Sequence, residues 1–213
     1  ADISNFYYSD LWYMQPGVSI DQGKARFTAD KLIIESASGK FGKSDYRTSG
    51  YLDNYLAFGL MENQPLGGYL KRYSGQLDVN EWMTSEEPTS NSTSSTEAEA
   101  ASILYEDLTL KDFSGNMTIV NEEIDMEEIQ FNMFDSRIAM NGIYNSQALQ
   151  KPLYTLYLDV KELCVSYAND YFSPVSAFAP ALAFINGIVN SELGIKGYLR
   201  EDMSPVLEDV NSL

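Results

Sequence analysis

The sequence has 213 residues, among them no histidine and a single cysteine. Without histidine there is no Ser-His-Asp or Cys-His catalytic arrangement, and the commonest transition-metal ligand is missing. The lone Cys164 cannot close an internal disulfide. Set among apolar neighbours in "KELCVSY", it reads as a small hydrophobe and leaves the redox compartment open. Positive charge is scarce: 14 Lys and Arg stand against 31 Asp and Glu, a net charge of −17. Such a chain repels a phosphate backbone, which argues against nucleic acid, and gains nothing from electrostatic docking on anionic headgroups. Holding one lipid by its tails is an apolar interaction and stays open. No nucleotide-binding glycine loop is present. "GKFGKS" (39–44) has its glycines and lysine at the wrong offsets for a phosphate cradle and reads as a turn. The opening "ADISNFYYSDLW" has no signal-peptide pattern and reads as part of something longer.

Aromatic residues are plentiful: 15 Tyr, 10 Phe and 2 Trp. They favour pleated, half-buried surfaces. Period-two alternation runs through 24–37, 69–79, 103–113, 128–134, 137–144 and 153–160, the signature of strands with one apolar face. Ile129, Phe131 and Met133 share a face of one strand; Tyr154, Leu156, Leu158 and Val160 share a face of another. Ser-Gly pairs recur at 38–39, 49–50, 74–75 and 114–115, with Gly67-Gly68 and Asn141-Gly142 between runs. These pairs predict turns, because glycine reaches positive φ cheaply and serine bonds to nearby backbone.

One segment, "SEEPTSNSTSSTEAEAAS" (85–102), has almost nothing to bury and predicts a flexible linker or long loop. It divides the chain into a first β-meander, 1–84, and a second, 102–213, which together read as one continuous structural domain. The two are related. At the offset that carries Gly23 onto Gly115, Ser44 lands on Ser136, Gly50 on Gly142, Phe27 on Ile119, Leu32 on Ile124 and Ile34 on Met126, without a gap. A further Ser–Gly pair with the same six-residue spacing stands at Ser191 and Gly197. From Tyr171 to Ser191 there is no charge. Pro174, Pro180, Asn186 and Asn190 weaken a membrane-spanning reading, and a short buried helix near 174–188 is expected, packing Phe178, Leu182, Phe184 and Ile188 on the sheet.

Little else points to chemistry. The acidic run 121–135 lacks the loop spacing of a calcium site and reads as a solvated strand face. Among so many carboxylates a pair at glycosidase separation arises by chance. Tyrosines serve a sugar platform less often than they pack across strands. No cofactor is implied.

Several phrases in order, "SDYRTSGYLDNYLAF" (44–58), "LGGYLKRYSGQLDVNEWM" (66–83), "LTLKDFSGNMTIVNEEIDMEEIQFNMFDSRIAMNGIYN" (108–145), "PLYTLYLDVKEL" (152–163) and "FAPALAFINGIVNSELGIKGYLREDMSPVLEDVN" (178–211), resemble the C-terminal region of AsmA-like proteins of the Bacteroidetes type. The resemblance implies a periplasmic envelope protein anchored in the inner membrane by a helix outside this stretch. It also implies kinship with the TamB group and the bridge-like lipid transfer proteins, in which a curved sheet forms an apolar groove for phospholipid. Roles in outer-membrane assembly and lipid homeostasis follow from it, with other envelope-assembly proteins as further partners. It brings no catalytic motif.

The expectation is therefore a mainly β protein of antiparallel meander repeats forming an elongated, curved sheet or groove, with one or two short helices. It would bind or conduct phospholipid acyl chains and would not be an enzyme. The lipid-groove candidates are Ile129, Phe131, Met133, Tyr154, Leu156, Leu158 and Val160. The alternative is a cell-surface glycan-binding or adhesive β-module using exposed tyrosines.

Overall fold

The computed structural model describes residues 1–8, 17–61, 64–81, 93–147, 152–165, 187–198 and 211–212. The protein is mainly β, as the alternation predicts. It divides into two compact units, Ala1–Glu122 and Glu123–Leu213. The division lies after residue 122 rather than in the segment 85–102.

Unit 1 contains β1 (Asp2–Tyr8), β2 (Val18–Phe27), β3 (Lys31–Phe41), β4 (Ser44–Asp53), α1 (Tyr55–Leu60), β5 (Gly67–Ser74), β6 (Leu77–Asp78), β7 (Thr93–Tyr105) and β8 (Leu108–Val120). The strands lie in the order β1-β2-β3-β4-β5-β7-β8, with β6 beside β7. Neighbours are antiparallel except that β5 and β6 both run parallel to β7. Here the linker expectation fails for 93–102; residues 85–92 lie outside the described residues. Composition suggested disorder, yet Thr96-Glu97-Ala98-Glu99-Ala100 alternates with period two. A strand laddered on both edges satisfies its backbone, and Glu97 adds an ion pair to Lys71 at 2.6 Å and accepts the Tyr69 hydroxyl at 2.8 Å.

Unit 2 is an antiparallel meander of β9 (Glu123–Met133), β10 (Ser136–Asn145), β11 (Leu153–Cys164), β12 (Ile188–Tyr198) and β13 (Asn211–Ser212). Phe134 and Asp135, both with φ above +50°, form the two-residue turn from β9 to β10. The expected helix near 174–188 falls outside the described residues up to 186, and Ile188 opens β12.

The internal repeat holds at the level of register. The same offset that aligns the sequences carries β3 onto β9 and β4 onto β10, end to end. The ladder of β3 and β4 slips between Ile34 and Ala37; the ladder of β9 and β10 slips at the equivalent Met126 and Ile129. Each slip is a bulge, two residues facing one, and it restores apolar phase where the sequence inserts two polar residues: Glu35-Ser36 in one copy, Glu127-Glu128 in the other. The third Ser–Gly pair lies outside this plan, since the bulge facing β12 stands opposite Asn190, before Ser191.

The Ser-Gly turn expectation is corrected at most positions. Ser38-Gly39, Ser49-Gly50, Ser114-Gly115 and Asn141-Gly142 lie inside β3, β4, β8 and β10; only Ser74-Gly75 closes a strand. "GKFGKS" is split between the end of β3, the turn Gly42-Lys43 and the start of β4. What glycine provides at the internal sites is close approach. At Gly50, φ is +137° and a Cβ would collide with the Tyr69 carbonyl; at Gly142 it would meet Thr155 O at 2.7 Å.

Candidate functional site

Pairing places all seven candidates of unit 2 on one face. Ile138 of β10 stands between Phe131 and Val160, Met140 between Ile129 and Leu158, and Gly142 beside Leu156. Tyr144 stands beside Tyr154, and Ser136 opposite Met133. No paired position of this face carries a charge from β9 to β12. The face is tightly packed: Ile129 is 2% exposed, Tyr154 4% and Val160 8%. Phe131, Met133 and Leu158 are partly buried against Ile138, Val160 and Leu163, and Leu156 is half-buried. Sequence reasoning placed a strand over 137–144 but did not name its Ile138 and Met140 as lining, and it missed β12, whose Leu193 and Ile195 complete the layer; alternation carried the signal in both.

Charges gather on the opposite face. Arg137 Nη2 donates to Gln130 Oε1 at 2.7 Å, Asn145 Nδ2 to Glu123 Oε2 at 2.8 Å, and Lys161 Nζ meets Asp159 Oδ1 at 2.6 Å. At both bulges of this unit a glutamate adopts positive φ and an asparagine opposite accepts its backbone N–H. Glu128 donates to Asn141 Oδ1 and Glu162 to Asn190 Oδ1, both at 2.8 Å.

Unit 1 is sorted the same way. One face presents Leu32 and Ile34 of β3, Leu52 of β4, Leu70 of β5, and Met117 and Ile119 of β8, by register. Every one of these large side chains is only half-buried. The small Ser94, Thr96 and Ala98 of β7 lie between Leu70 and the β8 residues. The other face holds the ion pairs: Lys24 and Arg26 each reach Glu35 at 2.9 Å, Lys31 reaches Asp53 at 3.1 Å, and Lys71 reaches Glu97. Tyr51 and Tyr69 pair across strands there, with Lys31 Nζ 3.8 Å from the Tyr51 ring centre.

Titration follows this sorting. On the charged faces, partners set the shifts: hydrogen bonds between Lys24 and Glu35, and between Lys71 and Glu97, raise the lysines and lower the glutamates. On the apolar faces burial sets them. It pushes the Tyr154 phenol up, and pushes up Tyr46, to which the charge of Asp21 adds. The Tyr154 hydroxyl is buried with no partner among the described residues, whereas Tyr46 donates to Ser19 O at 3.0 Å.

Beside α1 a depression of about 590 Å³ is lined by Asp30, Asp53, Asn54, Leu56, Leu60 and Met61. Of its two carboxylates, Asp53 is held by Lys31. Among the described residues no His, Cys, Asp and Glu group gathers as a metal site, and no helix is long and apolar enough to cross a membrane. Cys164 is half-buried at the end of β11. The chain matches no protein-family model, no curated protein and no solved structure.

Proposed function

We propose that this chain is a non-enzymatic, lipid-holding part of an AsmA-like envelope protein, working in the periplasm and anchored to the inner membrane outside this stretch. The observation that carries the proposal is the half-buried apolar face of unit 1. Ile34, Leu52, Leu70, Met117 and Ile119 lie on laddered strands with their charged neighbours turned to the other side. Such a face leaves apolar area in water that acyl chains would cover, at about 0.8 kcal/mol per buried CH₂. It needs no acid, base or metal. The seven candidates of unit 2 belong to the same kind of surface in a more closed state. Phospholipid is the ligand, and a place in outer-membrane assembly and lipid homeostasis is the role this implies.

The test is native mass spectrometry of the purified chain with solvent extraction and lipid analysis. Phospholipid at defined stoichiometry, lost in Leu52→Asp and Leu70→Asp variants that keep the β circular-dichroism spectrum, is the expected result. A protein that stays lipid-free after incubation with phospholipid overturns the proposal and favours the glycan-binding alternative, for which exposed Tyr157 is the place to look.

A further inference from the structure

On the apolar face of unit 1, one residue is out of character. Over the paired positions of β2 to β5, and of the stretches 93–100 and 113–120, a single charged residue points to this face: Arg72, in the middle of β5. Its cross-strand neighbours are small, Thr48 on β4 and Ala98 on β7, and Leu70 precedes it on the same face. Every other basic residue at those paired positions, such as Lys71 with Glu97 or Arg47 over the Tyr73 ring, faces the opposite way.

Arg72 makes no side-chain hydrogen bond or ion pair among the described residues. Asp45, at the end of the strand beside it, spends its oxygens on Ser74, Gly75 and Gln76. Water reaches the Arg72 side chain, which is exposed. Protein nevertheless crowds the guanidinium enough for desolvation alone to lower its pKa from the ordinary value. Arg72 stays charged, since guanidinium does not lose its proton in proteins. In a chain of net charge −17, this arginine is turned away from the ion-paired face and has a small residue on each neighbouring strand.

We propose that Arg72 is the headgroup site of the groove: it binds the phosphodiester of a phospholipid whose acyl chains lie along Leu70, Leu52 and Ile34. The planar fork of donors matches a phosphate, and the flanking Thr48 and Ala98 leave the room. This rests on the lipid-holding reading and adds to it a fixed register for the bound lipid. The net charge repels anionic surfaces at long range, but one guanidinium in contact with the phosphate governs recognition within the groove.

The experiment compares dioctanoyl phosphatidylglycerol, dioctanoyl glycerol and glycerol phosphate by titration calorimetry and native mass spectrometry. The wild-type chain is expected to bind the phospholipid roughly tenfold more tightly than the diacylglycerol, the worth of one charge-assisted contact. Glycerol phosphate, lacking tails, is expected not to bind. Arg72→Gln abolishes the preference and leaves diacylglycerol binding as it was; Arg72→Lys keeps part of it. The preference also shrinks as salt rises, a readout that needs no variant. Phospholipid binding unchanged in a folded Arg72→Gln protein overturns the headgroup site and leaves the groove standing. A wild-type chain that binds neither lipid overturns both. Glycerol phosphate binding as tightly as the phospholipid reassigns Arg72 to free phosphates and overturns the lipid site.

Discussion

The β3–β4 pair of unit 1 and the β9–β10 pair of unit 2 are copies with the same lengths, the same bulge and the same serine at the start of the second strand. Ser44 and Ser136 are both buried, at 2% and 1% exposure. Their apolar faces share only that serine and the pair Gly50 and Gly142, and two of the differences stand out in burial. Where unit 2 places Ile129 and Ile138, both buried, unit 1 places Ala37 and Tyr46, both half-buried, with the Tyr46 hydroxyl turned onto Ser19 O. One backbone plan thus carries a packed layer in one copy and a part-open face in the other. The choice is made by side-chain volume at a few positions while the ladder stays constant.

Exchanging those volumes is the strongest way to break the comparison. Ile129→Ala is expected to cost about 3 kcal/mol in urea unfolding, the usual loss when a buried isoleucine becomes a cavity. The reciprocal Ala37→Ile adds volume to an open face and is expected to cost under about 1 kcal/mol, whereas overpacking a closed core would take about 1–3 kcal/mol. A costly Ala37→Ile would mean that unit 1 is as closed as unit 2, and the groove proposal would fall with it.

The equivalent glycines sharpen the contrast. Gly50→Ala places a methyl against the Tyr69 carbonyl at a φ of +137°, which L-residues rarely adopt. About 2 kcal/mol or more is expected. At Gly142 a Cβ would meet Leu156 Cδ2, the end of a flexible side chain, at 2.5 Å and the Thr155 carbonyl oxygen at 2.7 Å, but without a positive φ. A smaller loss of about 1 kcal/mol is expected there, from crowding alone. Equal melting-temperature losses in the two variants would show that the copies share one constraint, contrary to this geometry.

The bulges differ in their support. Asn141 and Asn190 each accept a glutamate N–H in unit 2, while Ser49, which occupies the place of Asn141 in unit 1, makes no such bond among the described residues. Asn141→Ala should cost about 1 kcal/mol, the value of one hydrogen bond to a constrained backbone group. Ser49→Ala should stay within about 0.5 kcal/mol of the parent. Urea midpoints that move alike would remove asparagine capping as a distinction between the copies.

Much of this was legible in the sequence. Alternation located the strands, and the repeat offset located the duplicated pair, because a bulge adds its residue in both copies and keeps the spacing. Three things were hidden. The strand β7 was hidden by composition: Ser, Thr and Ala offer little to bury, yet a central strand between two laddered neighbours is held by its backbone and by Glu97. The Ser-Gly pairs looked like turns because glycine serves both turns and close strand approach, and only the ladder distinguishes them. Arg72 was hidden because its neighbour Lys71 is equally basic. Which of two adjacent cations faces the apolar side depends on register, and "GGYLKRYS" does not reveal it until β4 and β7 are set beside it.

The smallest expected effect concerns acid. At the first turn of the duplicated pair unit 1 has Asp45 and unit 2 has Arg137. Burial alone would raise the Asp45 carboxyl, but backbone N–H groups of Gln76 at 2.7 Å and Gly75 at 3.0 Å, with the Ser74 hydroxyl, outweigh it and hold the pKa below its ordinary value of 3.8. A carboxyl with a lowered folded pKa adds stability that is full above the unfolded value and is lost as pH falls through the folded one. Asp45 should therefore contribute on the order of 1 kcal/mol near neutral pH, discounted for its partial exposure, and nothing in strong acid. In Asp45→Asn the stability difference from the parent should shrink steadily below pH 4. Hydrogen exchange of amides in β4 and β5 against those in β9 and β10 reads the two units separately. Acid weakening that begins in β9 and β10 would reverse the assignment and make unit 2 the acid-sensitive copy.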